Sequence, residues 1–184
     1  NASNNYSYLY SRGSIINPEF KIYHTNNDTS EIIFKIESAD LIYSRPSQEF
    51  PYQSKFTISY AIYEDLNSKH IVDSLTTHIV DINPTKKHKL IYGRIKFAYS
   101  EGRSGAIKIT TFDQQRNQEH KTVSNIRKNS LSSDQNFLAI ENNRKMTRPF
   151  ITSDDTVTIL SARNAGNSFI LKWFDDDFGI SRPP

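Results

Sequence analysis

Between Glu19 and Leu160 the chain alternates apolar and polar residues with a period of two, and turn-forming residues interrupt the pattern about every dozen positions. Successive side chains of a strand point to opposite faces, so this period specifies strands with one face dry and one wet. Ser54–Tyr63 is the clearest case: Phe56, Ile58, Tyr60 and Ile62 share one face, and Lys55, Thr57, Ser59 and Ala61 the other. Earlier, Phe20 and Ile22 and then Ile32, Phe34 and Ile36 flank a turn at Asn26-Asn27-Asp28, the pattern of a hairpin. Similar segments follow at His70–Ile82, Leu90–Tyr99, Gly105–Phe112 and Gln118–Ile126, parted by Asn67-Ser68, Asn83-Pro84, Glu101-Gly102 and Gln115-Arg116-Asn117. No segment of helical periodicity intervenes. Short strands at this spacing predict an all-β fold, an antiparallel, immunoglobulin-like β-sandwich, over parallel βαβ units.

Composition agrees. Twenty-two isoleucines, ten tyrosines and eleven phenylalanines outnumber nine leucines and eight alanines, a bias towards strand formers. A chain of 184 residues can bury a core unaided. It contains no cysteine, which excludes disulfides, thiolate metal sites and cysteine catalysis and fits the cytosol or a Gram-negative envelope equally. No apolar run is long enough for a membrane-crossing helix. Residues 1–18 are polar and aperiodic apart from Tyr6, Tyr8 and Tyr10, and read as a tether. A start at Asn1 is the expected look of a trimmed product, and the Arg182-Pro183-Pro184 end that of a truncated longer chain. Residues 19–128 form the sandwich domain and 129–135 a linker. Shorter strands at Phe137–Ile140, Thr156–Leu160 and Ser168–Phe174, within 136–184, either complete that sandwich or open a second, incomplete β-domain.

Charge is unevenly spread. Residues 1–85 hold six Lys/Arg against ten Asp/Glu, residues 86–128 eleven against three, and residues 129–184 six against seven. The middle segment therefore carries the whole excess behind the formal net charge of +3. Lys86, Lys87 and Lys89 fall in a loop, Arg94 and Lys96 share strand parity opposite Ile95 and Phe97, and Arg103 follows; Lys108, Arg116, Lys121, Arg127 and Lys128 extend the series. These residues predict a basic face able to meet an anionic partner, with Lys86, Lys87, Lys89, Arg94, Lys96 and Arg103 as its candidates. No RNA- or DNA-binding motif accompanies it, which argues against nucleic acid.

Catalytic chemistry finds no foothold. His24, His70, His78, His88 and His120 form no pair at metal-ligand spacing, and His70 and His78 on one strand would stand about 26 Å apart. There is no nucleophile elbow, and Asp175-Asp176-Asp177-Phe178-Gly179 lacks both the calcium-loop spacing and the other kinase segments, so it reads as a solvated turn. The expectation is a protein without catalytic residues, metal or cofactor. Turn-proximal aromatics, Tyr43, Tyr52 and Trp173, would serve the alternative of a glycan-binding module.

Phe20-Lys21-Ile22-Tyr23-His24-Thr25, Ile32-Ile33-Phe34-Lys35-Ile36 and Ala39-Asp40-Leu41-Ile42-Tyr43-Ser44-Arg45 resemble the N-terminal β-rich region of the GWxTD-domain proteins of Bacteroidota. Val72-Asp73-Ser74-Leu75, Ser133-Asp134-Gln135-Asn136-Phe137-Leu138 and the tail Asp177–Pro184 are similar to family segments in the same order. The naming motif is missing, since the single tryptophan, Trp173, lies between Lys172 and Phe174. The resemblance implies an envelope lipoprotein whose acylated cysteine precedes Asn1. It also implies a place at the outer membrane, periplasmic or surface-exposed, as a non-catalytic accessory subunit with a membrane-protein or envelope-complex partner.

Overall fold

A computed structural model describes residues 16–85, 87–141, 144–145 and 157–161. The strands are β1 (Glu19–His24), β2 (Thr29–Glu37), β3 (Gln53–Tyr63), β4 (Ile71–Ile82), β5 (Leu90–Ala98), β6 (Ser104–Asp113), β7 (Gln118–Arg127), β8 (Leu138–Glu141), β9 (Arg144–Lys145) and β10 (Val157–Leu160). All pairing is antiparallel, in sheets ordered β1-β2-β5, β4-β3-β6-β7 and β10-β8-β9. The first two face each other as the expected sandwich. The expected strand Ser168–Phe174 and the Asp175–Asp177 turn lie outside the described residues.

Side-chain carboxylates and amides set the hairpins by accepting from backbone amides two and three residues on, the Asx geometry. Asn26 Oδ1 accepts from Asp28 (2.9 Å) and Thr29 (2.8 Å). Asp65 Oδ1 accepts from Asn67 (2.7 Å) and Ser68 (2.9 Å), and Asp113 Oδ1 from Gln115 (2.9 Å) and Arg116 (3.2 Å). Asn117 closes the last hairpin at φ 54°, a left-handed conformation that asparagine tolerates.

The alternating residues of β3, Phe56, Ile58, Tyr60 and Ile62, all reach the core, where they meet Ile32, Phe34, Ile36, Ile95 and Phe97 of the facing sheet and Ile107 and Ile109 of β6. Thr57, expected on the wet face, is buried between its cross-strand neighbours His78 of β4 and Phe112 of β6. Within the expected tether 1–18, Ile16 is instead fully buried in the sandwich core, and the Asn17 amide donates to Asp40 Oδ2 (3.3 Å).

Residues 129–135 are not a free linker. Gln135 accepts from the Arg127 amide (2.8 Å) and donates to the Asn125 carbonyl (2.6 Å), tying a short 3-10 turn, Asp134–Asn136, to the end of β7. Beyond it Leu138 and Ile140 pack on Tyr23 and Ile33. These two residues lie on the side of the β1-β2-β5 sheet away from the core, so β8 covers that face and builds onto the sandwich.

Candidate functional site

The expected basic face is dispersed. Lys89 opens the approach to β5, Arg94 and Lys96 lie along it, and Arg103 follows its far end; a nine-residue strand at about 3.3 Å per residue separates Lys89 from Arg103 by roughly 30 Å. Arg94 and Lys96 are exposed on the wet side as expected, with Ile95 and Phe97 buried opposite them. Most of the charges are already engaged. Lys89 Nζ lies 2.9 Å from Asp81 Oδ1 and donates to the Ile82 carbonyl. Arg94 sits 3.8 Å from the buried Glu31 carboxylate, which also lies opposite Lys96 in the β2–β5 register. The Arg103 guanidinium stands 5.3 Å from the Tyr99 ring centroid. Lys87 is exposed, and Lys86 lies outside the described residues.

Further along the series Lys121 pairs with Glu119, and Arg127 with Asp134 (2.8 Å). Lys128, read as part of the same face, is instead fully buried. Its ammonium donates to the carbonyls of Thr29 (3.0 Å) and Tyr99 and to the Ser30 hydroxyl, which itself bonds the buried His24 Nδ1 (2.9 Å). This lysine joins the start of β2 to the residue that follows β5 and belongs to the fold.

The aromatic candidates do not converge on a platform. Tyr43 packs against the core and donates to Asp81 Oδ2 (2.7 Å), at the edge of a shallow groove of about 290 Å3 shared with Ser38, Leu41, Asn83 and His88. Tyr52 is covered by the Arg45 guanidinium at 4.8 Å, and Trp173 lies outside the described residues. Burial, reinforced by the Asp81 carboxylate, pushes the Tyr43 phenol far above its ordinary range, and Tyr60 behaves likewise beside Asp73, to which it donates at 2.9 Å. Among the described residues no three His, Asp or Glu side chains gather at a metal-binding distance.

The feature that sequence reading missed is β4. It is an outer strand of the four-stranded sheet and, among the described residues, pairs only with β3. Phe97 of β5 packs on Tyr60 of β3 with ring centroids 5.6 Å apart. Both faces of β4 carry exposed apolar residues, although Ile79 on the inner face packs against the core. Leu75, opposite Tyr60 and hence on the inner side, is 46% exposed, while Val80 and Ile82 on the outer side are 54% and 53% exposed.

Edge strands present a free row of amides and carbonyls, and proteins usually blunt them with lysine, proline or a covering element. The other outer strands of the two main sheets follow that rule: β5 carries Arg94 and Lys96, β7 Lys121 and Arg127, and β1 Lys21 beneath the turn at Asp134. β4 has neither Lys, Arg nor Pro in its twelve residues. Its only carboxylates, Asp73 and Asp81, are held by Tyr60 and by Tyr43 and Lys89. The signal was present in Ile71, Val72, Leu75, Ile79, Val80 and Ile82, apolar residues of both parities, the composition of a strand covered on two faces. Searches against protein-family models and curated proteins find no match to this chain.

Proposed function

We propose that this chain is a non-catalytic assembly module that joins its complex by adding a strand to the open edge of β4. The observation that carries the reading is that, among the described residues, β4 alone of the outer strands of the two main sheets combines a backbone edge without a strand partner, exposed apolar residues on both faces and no protective lysine, arginine or proline. Backbone hydrogen bonding along such an edge supplies affinity, and alternate side chains supply selectivity. Following the resemblance to GWxTD-domain proteins, the module belongs to an envelope lipoprotein, lipid-anchored ahead of Asn1, and serves as an accessory subunit of an outer-membrane complex. The dispersed charges Lys87, Arg94 and Lys96 flank the assembly and are not its main contact.

The test is affinity purification of the tagged, full-length protein from gently solubilised membranes of its host, comparing wild type with Val80→Lys and with the double variant Arg94→Glu, Lys96→Glu. A stoichiometric envelope assembly lost in Val80→Lys and retained in the double variant is the expected result. Recovery of the wild type as a lone monomer, or loss only on charge reversal, contradicts the reading.

A further inference from the structure

We infer that the outer face of the four-stranded sheet carries a binding site for a small organic anion with an apolar body, a carboxylate of octanoate size, beside the hairpin that joins β3 to β4. The site is separate from the edge of β4 and does not depend on it. A cavity of about 360 Å3 lies there between the hairpin and the sheet, room for about a dozen water-sized groups.

Local sequence shapes this cavity. The pairing of β3 with β4 shifts register between Ile62 and Tyr63, and a bulge of this kind re-aims the side chain beside it. Asp65 Oδ1 holds the turn by accepting from the Asn67 and Ser68 amides, and Ser68 Oγ accepts from the His70 amide (3.1 Å). On the sheet, Lys108 of β6 lies directly opposite Ala61 of β3 on one side and Val123 of β7 on the other, and Ala106 lies opposite Tyr63. The small Ala61 and Ala106 leave space beside Lys108 and Tyr63 that bulkier residues would fill.

The lining is amphiphilic. Leu66 and Val123, 60% and 57% exposed, are the two most exposed large apolar side chains among the described residues, and both line this one cavity. An apolar ligand body would take both out of water together. Lys69 and Lys108 line the same cavity, and among the described residues neither enters an ion pair. Lys108 thus differs from Lys89, Arg94, Lys121 and Arg127 of the same basic series, each of which has a carboxylate beside it.

Tyr63 and Ser68 add hydroxyl donors to the lining, and Ser68 keeps its own proton while accepting from His70. The one acidic side chain in the lining, Asp65, is committed to the turn through Oδ1. Positive charge therefore exceeds negative, and donors exceed acceptors. A cation or a neutral polyol would leave the two ammonium groups unanswered, whereas a carboxylate meets them with charge-assisted hydrogen bonds, the stronger kind. Leu66 and Val123 in turn require that the carboxylate carry an apolar body, which acetate and inorganic phosphate lack.

Titration of the full-length protein with sodium octanoate, followed by amide proton–nitrogen correlation spectra, tests the site. For a ligand of about ten non-hydrogen atoms the expected result is saturable binding with a Kd of about 1 mM or tighter, with the largest shifts at residues 63–69, 106–108 and 123. Octanol and acetate, each keeping one half of the ligand, should bind at least about tenfold more weakly. Lys108→Met, which keeps the aliphatic stem, and Val123→Asp should each weaken octanoate at least about tenfold, whereas Lys55→Met, exposed on the same face of the sheet outside the cavity, should not. The comparison of ligands is made on the wild type, so it decides the matter even where a variant misfolds. Failure to saturate by about 10 mM, equal affinity for octanoate and for octanol or acetate, shifts centred elsewhere, or an unchanged Kd in a folded Lys108→Met overturns the inference.

Discussion

Gly93 on β5 lies directly opposite Phe34 on β2, and the absent side chain is what lets the Phe34 ring lie across β5. A Cβ built at Gly93 would stand 2.2 Å from Phe34 Cζ, 2.5 Å from Cε1 and 3.0 Å from Cε2, so Gly93→Ala must move a ring that is only 4% exposed within the core. Overpacking of this kind costs about 1–3 kcal/mol, and since three ring atoms are displaced at once the upper half of that range applies. Relief of glycine's strand penalty offsets about 0.5–1 kcal/mol. The net expected loss is about 2 kcal/mol, or a fall in Tm of about 4–8 °C for a chain of this length. Urea unfolding of the wild type, Gly93→Ala, Phe34→Leu and the double variant measures it. Leucine has no atoms at the clashing positions, so Gly93→Ala should cost at least 1 kcal/mol less in the Phe34→Leu background. A Gly93→Ala within about 0.5 kcal/mol of wild type, or a loss equal in both backgrounds, refutes the reasoning.

Alkaline stability follows from Tyr43 and Tyr60. Their phenols keep their protons in the fold well above the ordinary value of 10.0, so just above that pH the unfolded chain binds fewer protons and stability falls as pH rises. Lys21, whose pKa burial lowers from 10.5, acts oppositely below that value, so the decline should sharpen once pH passes it. Urea midpoints should drop above about pH 10.5 and drop less steeply in Tyr60→Phe; a flat profile there contradicts the assignment. Lys128→Met removes the ammonium from the carbonyls of Thr29 and Tyr99 and the Ser30 hydroxyl. Each buried acceptor left without its donor costs about 1–3 kcal/mol, partly offset by no longer burying a charge, so a net loss of about 2–4 kcal/mol is expected from denaturant unfolding. A variant as stable as wild type would show the buried ammonium to be dispensable.

How far the sequence spoke for the fold depended on whether a residue's fate was local. The alternation of Phe56, Ile58, Tyr60 and Ile62, and of Arg94 and Lys96 against Ile95 and Phe97, is a property of one strand, and the structure follows it. Lys128 is different: nothing in its neighbourhood separates it from the exposed Arg127, and its partners lie 99 and 29 residues away. Ile16 likewise sits in a polar stretch and is drawn into the core only by the closure of both sheets. The burial of Ile33 depends on β8, more than a hundred residues on, returning over the outer face of β2. For β4 the alternation located the strand, but period two carries no record of how many strands lie beside it. Its edge position, and with it the candidate site, emerges only from the sheet order β4-β3-β6-β7.

The central claim is that β4 is covered by another strand when the protein is assembled, and hydrogen–deuterium exchange over residues 71–82 tests it most directly. On an uncovered edge strand alternate amides lack a backbone partner and exchange with solvent rapidly, whereas an added strand bonds them. The same peptide is followed in assembly isolated from membranes, in wild type freed of its assembly, and in Val80→Lys. The account expects about half the β4 amides to gain at least tenfold protection in the first sample relative to the other two, with β7 unchanged. Equal exchange of β4 in all three samples would contradict it.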